Sequence, residues 1–302
     1  MKRINSLISH LKEPNFFYRI IKKIGSYLFF NQWIVLVGPN TGYKLLNWKN
    51  LTPLPLSPDR FWADPFIIER GGQYYLFIEE ALQPNNRGRI SCLTLDKALN
   101  IVAHQVILDL PYHLSYPFLF EHQGELYMIP ESGFANRVDL YKCLEFPAKW
   151  EFEKTLIHNV FAVDATVVEV NKKWWLFTNI KDTDGSTERN LYLYFSDDPL
   201  SENWTSHPMN PIVRDINSAR PAGRIFQDNN GILIRPSQDG SIRYGYAINF
   251  NRIIKLSETD YKEIREHYFA PPKINLTNAA HTFNASENLV AIDAKKIRFK
   301  FW

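Results

Sequence analysis

The chain has 302 residues, of which 45% are hydrophobic and 15% aromatic, enough apolar material for one large domain or two ordinary ones. Its net charge of +3 is too small for the usual footprint of a nucleic-acid-binding protein, so we expect no nucleic-acid partner. The two cysteines, Cys92 and Cys143, provide neither a disulfide framework nor a metal-binding cluster. We therefore expect no metal ion, no cofactor and a reducing, cytoplasmic environment.

The first 31 residues differ in composition from the rest of the chain. They hold six Lys or Arg residues against one acid, Glu13, and apolar residues recur at helical spacing between Phe16 and Leu28. This pattern predicts a basic amphipathic helix over 1–31 that lies on an anionic membrane surface, or that packs on the folded domain or a second subunit. We see no secretory signal peptide and no membrane-spanning segment, so the expected location is the cytoplasm, with peripheral attachment to the inner membrane face.

Strands are predicted from residue 32 onward, first at 33–37 and 43–46. The first complete hairpin turns at Gly71-Gly72, because two consecutive glycines favour the positive φ angles of a two-residue turn. The same unit then recurs four times, and the starts of the five copies lie 52, 48, 56 and 61 residues apart. The copies start at Asp64, Tyr116, Asp164, Arg220 and His281.

A strand-rich repeat of about 50 residues is typical of a β-propeller. Five copies predict an all-β fold over 32–302, a five-bladed β-propeller with four strands in each blade. The last copy has too few strands after it to complete a blade, so we expect the strands within 32–50 to complete it and close the ring. One helical insertion is predicted at 257–268, where Ser257 and Asp260 resemble a capping box.

Polar residues occur at one register of the predicted inner hairpins. The innermost strands of a propeller line its central channel, so these side chains are predicted to ring one channel mouth. Like charges that face each other cost stability, which a purely structural ring would avoid. The predicted opposed pairs are Asp64 and Glu79, Tyr116 and Glu131, Asp164 and Asn179, and Arg220 and Arg235.

Paired carboxylates push their pKa values apart, so that one can donate a proton while the other accepts one. Arginine side chains offer fork-shaped donors to a phosphate or a carboxylate. Each acid has the alternative role of capping a loop or pairing with an arginine, and Trp62 that of a core residue. The predicted catalytic residues are Asp64, Glu79, Glu131 and Asp164. The predicted substrate-binding residues are Arg60, Trp62, His113, Tyr116, Asn179, Arg220, Arg224, Arg235 and His281.

At Trp62-Ala63-Asp64-Pro65 the sequence resembles the five-bladed propeller glycosidases, such as arabinanases, xylosidases, invertases and levansucrases. This resemblance implies that Asp64 is a base or nucleophile. It also suggests Asp164 and Glu131 as the two further channel acids of those families. Tyr116 stands where an acid is expected, and this departure argues against simple glycoside hydrolysis.

A closer resemblance links the chain from about Trp33 onward to the N-terminal domain of glucosamine inositolphosphorylceramide transferases and its bacterial stand-alone relatives. The residues that carry it are Ala63-Asp64-Pro65-Phe66, Glu79-Glu80, Pro130-Glu131-Ser132 and Val163-Asp164. The resemblance implies a carbohydrate-active propeller.

Three functions are compatible with these residues. The first is a glycosyltransferase in bacterial surface-polysaccharide assembly, which uses a sugar or sugar-nucleotide substrate and a glycan or lipid-linked acceptor. The second is a glycoside hydrolase, with Asp64 and either Glu131 or Asp164 flanking the scissile bond. The third is a non-catalytic glycan-binding propeller, since propellers also serve as platforms. The mixed acids and arginines favour the first.

Overall fold

The computed structural model of the protein describes residues 29–272 and 277–299, which form β-strands and three short 3-10 helices. Five antiparallel sheets form the five blades of one propeller, which confirms the predicted all-β architecture. Most of the helix predicted over 1–31 lies outside the described residues, which begin at residue 29. Residues 29–31 belong to a strand and not to a helix. Within the described part of the chain, no helix has the length and apolar character needed to cross a membrane.

The strands are short, and each blade is built mainly from consecutive ones. In chain order they are β1 (Phe29–Pro39), β2 (Thr52–Pro53), β3 (Arg60–Arg70), β4 (Gln73–Leu82), β5 (Gly88–Leu95), β6 (Ile101–Leu108), β7 (Ser115–His122), β8 (Glu125–Glu131), β9 (Arg137–Glu145), β10 (Lys149–His158), β11 (Ala162–Val170), β12 (Lys173–Ile180), β13 (Asn190–Ser196), β14 (Thr205–Ser206), β15 (Val213–Arg214), β16 (Phe226–Gln227), β17 (Leu233–Asp239), β18 (Ala247–Leu256), β19 (Tyr261–Phe269), β20 (Thr277–Ala279), β21 (Phe283–Ala285) and β22 (Leu289–Phe299). The 3-10 helices are Tyr43–Leu45, Trp48–Asn50 and Gly133–Ala135.

Four blades follow the chain in order. The first contains β3 to β6, the second β7 to β10, the third β11 to β14 with β15 added beside β13, and the fourth β16 to β19. In the fifth blade, β20 and β21 both pair with β22, and β1 and β2 complete the sheet from the other end of the chain.

The closure of the ring is confirmed. β1 pairs with β22 through eleven antiparallel residue pairs, and β2 adds the outermost strand. The strand predicted at 43–46 is wrong, because Tyr43–Leu45 forms a 3-10 helix after Gly42 turns the chain with a φ of 85°. This turn lets Tyr43 pack beneath Phe250 in the core between the fourth and fifth blades.

The hydrophobic core consists of clusters between neighbouring blades. Alternate residues of a strand point to opposite faces, so each blade presents apolar side chains to both of its neighbours. Phe66 of the first blade and Phe118 of the second, for example, are fully buried with ring centroids 5.7 Å apart. Burial of one such side chain stabilises the fold by about 1.5–3 kcal/mol.

The helix predicted at 257–268 is wrong, since β19 occupies most of this segment. Ser257 Oγ does accept a hydrogen bond from the backbone N–H of Asp260 at 3.0 Å, the contact that normally caps a helix. Here it closes the turn between β18 and β19. Tyr261 and Phe269 are buried at the two ends of β19, so pairing with β18 overrides the local signal.

The predicted opposition of Asp64 and Glu79 is wrong by one residue. The Gly71-Gly72 turn sets the expected register as far as Phe66, which pairs with Phe77. Asp64 then adopts a left-handed φ of 49° and introduces a β-bulge, so that Ala63 pairs with Glu79. A bulge of this kind aims its side chain away from the regular strand face.

The next two blades repeat the bulge. Tyr116 has a φ of 41° and Asp164 a φ of 53°, and both are displaced from their predicted partners. A non-glycine residue in the left-handed region costs about 1–3 kcal/mol and persists mainly at functional sites. The observed pairs are Ser115 with Glu131 and Val163 with Asn179.

Candidate active site

Four carboxyl side chains from the first three blades lie together at one mouth of the channel. Asp64 and Glu79 belong to the first blade, Glu131 to the second and Asp164 to the third. The side chain of each is less than a tenth exposed. The four carboxyl groups are close enough to interact, since the charges of Asp64 and Glu131 both raise the pKa of Glu79. The predicted catalytic residues therefore share one site, although the register that predicted it was wrong.

Asp64 is held rigidly by three elements. Its Oδ1 accepts a hydrogen bond from Thr282 Oγ1 at 2.6 Å, and its Oδ2 accepts one from the backbone N–H of Tyr116 at 3.2 Å. Its own backbone N–H donates to Asp293 Oδ2 at 2.9 Å. Burial raises the pKa of Asp64 to about 6, and the positive charge of His281 limits the rise. This pKa suits a general base near neutral pH.

The pKa values of Glu79 and Glu131 are raised as well. Burial raises the pKa of Glu79 well above its usual range, and the charge of Asp64 raises it further. Burial and the charge of Asp164 raise the pKa of Glu131 well above its usual range, against the opposing effect of Arg220. The mouth thus holds a proton acceptor beside carboxyl groups that favour their protonated form, the arrangement needed for acid–base chemistry.

Arg220 provides a buried positive charge among these acids. Its Nε donates to Asp164 Oδ2 at 2.6 Å, and its Nη2 lies 3.6 Å from Glu131 Oε2. Its Nη1 donates to Thr187 Oγ1 at 3.0 Å, and its guanidinium lies 5.0 Å from the ring centre of Tyr244. Arg220 therefore fixes the two acids from the second and third blades in one place.

His281 and Asp293 form a second buried charge pair. His281 Nδ1 lies 2.6 Å from Asp293 Oδ2, and the imidazole stacks on Trp33 with centroids 4.0 Å apart. Burial by itself would lower the pKa of His281, but the charges of Asp293 and Asp64 outweigh it and raise the pKa. His281 consequently favours the imidazolium form and supplies a second cation to the mouth.

Asp64, His281 and Asp293 are also the described residues best placed to share a metal ion. Their donor atoms lie within 4.8 Å of one another, and all three are buried. These atoms already bond to partners within the protein, including the His281 to Asp293 contact and the Thr282 hydroxyl on Asp64. The cluster is therefore satisfied by its own hydrogen bonds.

Tyr116 links three blades through its hydroxyl group. Its hydroxyl accepts a hydrogen bond from the backbone N–H of Gly223 and lies 2.9 Å from Thr166 Oγ1, so the side chain reaches from the second blade to the third and fourth. The residue is fully buried. It brings no carboxyl group to the site and serves as a structural bridge between the blades.

Two further predicted residues lie at the edge of this site. His113 Nδ1 accepts from the backbone N–H of Gly88, which leaves Nε2 to donate to Glu79 Oε1 at 3.3 Å. Burial lowers the pKa of His113, consistent with a neutral ring that positions Glu79. Asn179 is buried and donates to the carbonyl of Thr187, the residue that contacts Arg220.

Four predicted substrate-binding residues do not reach the mouth, namely Arg60, Trp62, Arg224 and Arg235. Arg60 and Trp62 both donate to Glu80 Oε1, at 3.1 and 3.2 Å, in a polar cluster within the first blade. Glu80 points there because neighbouring strand residues alternate between faces, so Glu79 alone of the pair enters the channel. Arg224 lies at the opposite, hairpin end of the channel, where its Nη2 donates to the carbonyl of Leu119 at 3.0 Å.

Arg235 was predicted to face the channel, and this prediction is wrong. Its Nε donates to Glu263 Oε2 at 2.7 Å, and it also reaches the carbonyl of Ser218, so its side chain faces β19 and not the channel. The predicted opposition to Arg220 fails because the turn of this hairpin spans 228–232, which shifts the register. Arg220 and Arg235 therefore serve different parts of the molecule.

Sequence reasoning missed several residues of the site. Asp293 ends the fifth hairpin copy, at the position that Glu79 occupies in the first, and this correspondence could have found it. Thr282 follows His281, the start of the same copy. Tyr244 and Gln238 carry no comparable signal, since they come from the strand and loop of the fourth blade, the least regular copy.

Three buried acceptor atoms in this neighbourhood have no hydrogen-bond donor among the described residues. They are Glu131 Oε2, Asn179 Oδ1 and Gln238 Oε1. Buried polar atoms are nearly always satisfied, and those that are not often mark a functional site. Sugar hydroxyl groups are donors of the right kind for such acceptors.

The stability of the protein is expected to fall as pH rises. Folded Asp64 keeps its proton up to about pH 6, whereas the unfolded chain releases it near the ordinary value of 3.8. The folded state thus binds more protons between these values, and up to about 3 kcal/mol of stability is lost across that window. Glu79, Glu131 and His281 act in the same direction, because their folded pKa values are also raised.

Urea denaturation at pH 5 and pH 8 checks this expectation, with the higher midpoint expected at pH 5. The variant carrying Glu79→Gln and Glu131→Gln should show a flatter dependence, since its amides do not titrate. A midpoint that is equal or higher at pH 8 in the unmodified protein would show that the acids are not protonated by folding.

Solved structures with this architecture include glycoside hydrolases. A family 117 glycoside hydrolase from Zobellia galactanivorans matches with a TM-score of 0.56 and 13% identity, covering 88% of this chain and 90% of that one. A β-xylosidase/α-arabinofuranosidase from a compost microbial metagenome matches with a TM-score of 0.57 and 12% identity, covering 81% of this chain and 92% of that one. At such low identity the likeness shows the fold, so the protein is a five-bladed β-propeller of the kind seen in these hydrolases.

The family follows from the sequence. Residues 54–297 match the family described as glucosamine inositolphosphorylceramide transferase 1, N-terminal. The proteins named glucosamine inositolphosphorylceramide transferase 1 from Oryza sativa subsp. japonica and Arabidopsis thaliana are 36% and 34% identical over 212 and 211 residues, 68% of this chain. The chain belongs to this family, as its motifs indicated. It matches 28% and 27% of the length of these two relatives.

Proposed function

We propose that this protein is a glycosyltransferase that moves a sugar from a sugar nucleotide to a glycan or lipid-linked acceptor in bacterial surface-polysaccharide assembly. The observation that carries the proposal is the composition of the channel mouth. It combines a carboxylate with a pKa of about 6, Asp64, with two buried cations, Arg220 and His281. A transferase needs a base for the acceptor and positive charge for the departing phosphate.

These residues can carry out the transfer step. Asp64 takes the proton of the acceptor hydroxyl as its oxygen bonds to the anomeric carbon of the sugar. The bond from that carbon to the donor phosphate breaks, and its electron pair leaves with the phosphate oxygen. Arg220 and His281 offset the charge that develops there. Glu131 and Asn179 accept hydrogen bonds from sugar hydroxyls through their unpaired oxygens.

The family supports the class of chemistry. The rice and Arabidopsis relatives are named transferases. The family match over residues 54–297 includes the residues of the mouth. Because this chain matches little more than a quarter of those proteins, the activity of the matched part is a proposal for this chain.

Glycoside hydrolysis is the second candidate, favoured by the likeness of the fold to hydrolases and by the presence of both a base and protonated acids. Asp64 and Glu131 would then flank the scissile bond. Tyr116 argues against it, because its hydroxyl is occupied by Gly223 and Thr166 where the resembling hydrolases carry an acid.

We further propose that residues 1–31 hold the enzyme at the inner membrane face, near a lipid-linked acceptor. The support is the excess of basic residues in this segment and their helical spacing with apolar ones. Positive charge next to an apolar face favours anionic lipid surfaces.

Incubation of the purified protein with a panel of sugar nucleotides tests the proposal. We expect release of nucleoside diphosphate that depends on an added glycan or lipid-linked acceptor. Parallel incubation with unmodified oligosaccharides should give no cleavage. Cleavage without any diphosphate release would establish the hydrolase instead, and glycan binding without either reaction would establish a binding platform.

A further inference from the structure

Two basic side chains at the rim of the mouth have no carboxylate partner among the described residues. Arg243 lies in the loop between β17 and β18, and Lys295 lies on β22, two residues beyond Asp293. Their close partners are aromatic rings, Tyr246 for Arg243 and Trp33 for Lys295. They differ in this from Arg220, whose charge is offset by Asp164.

The backbone brings these two cations together. Arg243 Nη1 donates to the carbonyl of Asn278 at 2.6 Å, and Asn278 lies in β20 beside Ala279, the strand partner of Lys295. Burial lowers the pKa of Lys295, and the positive charge of Arg243 lowers it further. The protein thus keeps two like charges as neighbours, at a cost in stability that a bound anion would relieve.

An aromatic bridge joins this pair to the acid site. Lys295 Nζ lies 5.7 Å from the centre of the Trp33 ring, and Trp33 stacks on His281. Tyr244, next to Arg243 in its loop, meets the edge of His281 with centroids 5.4 Å apart. A group bound at Arg243 and Lys295 would therefore lie one aromatic ring away from His281 and the Asp64 carboxylate.

The mouth is divided by charge. The four acids of the ring come from the first three blades, whereas Arg220, Arg243, His281 and Lys295 come from the inner segments and loops of the last two. Arginine and lysine side chains bind phosphate through charge-assisted hydrogen bonds. The aromatic rings between the two sides are suited to a sugar, which packs its apolar face on such surfaces.

We propose that Arg243 and Lys295 bind a phosphate or diphosphate group of the substrate, and so hold the attached sugar over Trp33 and toward Asp64. This inference rests on the proposed glycosyl transfer for the identity of the substrate. Diphosphate binding can be measured without turnover, however, so the two ideas succeed or fail separately.

Titration calorimetry with inorganic pyrophosphate and with uridine diphosphate tests the assignment. We expect the variant carrying Arg243→Gln and Lys295→Gln to bind both at least about tenfold more weakly, because two charged hydrogen-bond donors are lost. The matched control carries Lys49→Gln and Lys97→Gln, two exposed lysines outside the mouth, and loses the same charge. It should bind both ligands as the unmodified protein does.

A second experiment distinguishes a soluble phosphate-bearing donor from a lipid-linked one. It compares flotation of the protein on phosphatidylcholine vesicles with and without farnesyl diphosphate. Loss of uridine diphosphate binding alone assigns the pair to a soluble donor, and loss of the farnesyl-diphosphate-dependent flotation assigns it to a lipid-linked substrate. Unchanged binding of every probe by the Arg243 and Lys295 variant overturns the proposal, as does failure of the unmodified protein to bind any of them. Diphosphate binding that depends on the pair, without sugar transfer, would sustain this site and refute the transferase.

Discussion

Asp64→Asn is expected to lower kcat by about 10²–10⁴-fold, the usual contribution of a general base, while leaving the protein folded. The amide has the same shape as the carboxyl group but accepts no proton near neutral pH. Its oxygen can still accept from the backbone N–H of Tyr116, and its nitrogen can donate to Thr282 Oγ1 in place of the present bond. Asparagine also tolerates the left-handed φ of 49° at this position.

The stability of this variant distinguishes a catalytic role from a structural one. Burial raises the pKa of Asp64, so ionisation at pH 7 costs folding free energy that the neutral amide does not. The thermal midpoint of Asp64→Asn at pH 7 is therefore expected to equal or exceed that of the unmodified protein. Higher stability with lost activity is a common exchange at active sites.

A pH profile adds a second measurement. In the unmodified protein kcat/KM should rise with pH through about 6, as Asp64 loses its proton. Asp139→Asn provides a matched control, since Asp139 is a fully buried aspartate that accepts from Thr155 and Arg137 outside the acid ring. That variant should lose stability and keep its activity per folded molecule. Full activity in Asp64→Asn would mean that another residue is the base.

The repeat of hairpins was sufficient to predict the propeller and its closure. A strand-rich hairpin unit that recurs about every 50 residues is compatible with few other folds. It was not sufficient to predict the register of the site. Asp64 and Asp164 take left-handed conformations that a pattern of apolar residues does not record. The acids still converge, because all four lie at or beside these bulges. Asp64 and Asp164 occupy bulge positions, and Glu79 and Glu131 pair with Ala63 and Ser115, the residues next to the bulges of β3 and β7.

The errors at Arg235 and at 257–268 have a common physical cause. The local Ser257 signal favours a helix, but the fourth blade needs an outer strand, and tertiary pairing supplies more hydrogen bonds than one cap. Glu263 can be recognised as the partner of Arg235 only from the pairing of β19 with β18. A buried arginine read from sequence alone therefore looks like a ligand-binding residue, whereas its counter-ion comes from a neighbouring strand.

Glu263→Ala is expected to destabilise the protein by about 3–5 kcal/mol, because it leaves the guanidinium of Arg235 buried without a counter-ion. Arg235 is only 1% exposed, and its Nε donates to Glu263 Oε2 at 2.7 Å. The substitution also removes the acceptor of the Tyr261 hydroxyl. Urea denaturation should show the loss as a lower midpoint. Lys255→Ala, which breaks an exposed pair with Asp260, should leave the midpoint nearly unchanged.

Replacing both members of the buried pair gives the sharper result. In the variant with Arg235→Met and Glu263→Leu no charge is left uncompensated, so most of the stability lost in Glu263→Ala should return. Its sugar-transfer activity per folded molecule should match that of the unmodified protein, because Arg235 faces β19 and not the acid mouth. If the double variant stays folded but cannot bind substrate, then Arg235 contributes to the site through a contact that its pairing with Glu263 does not reveal.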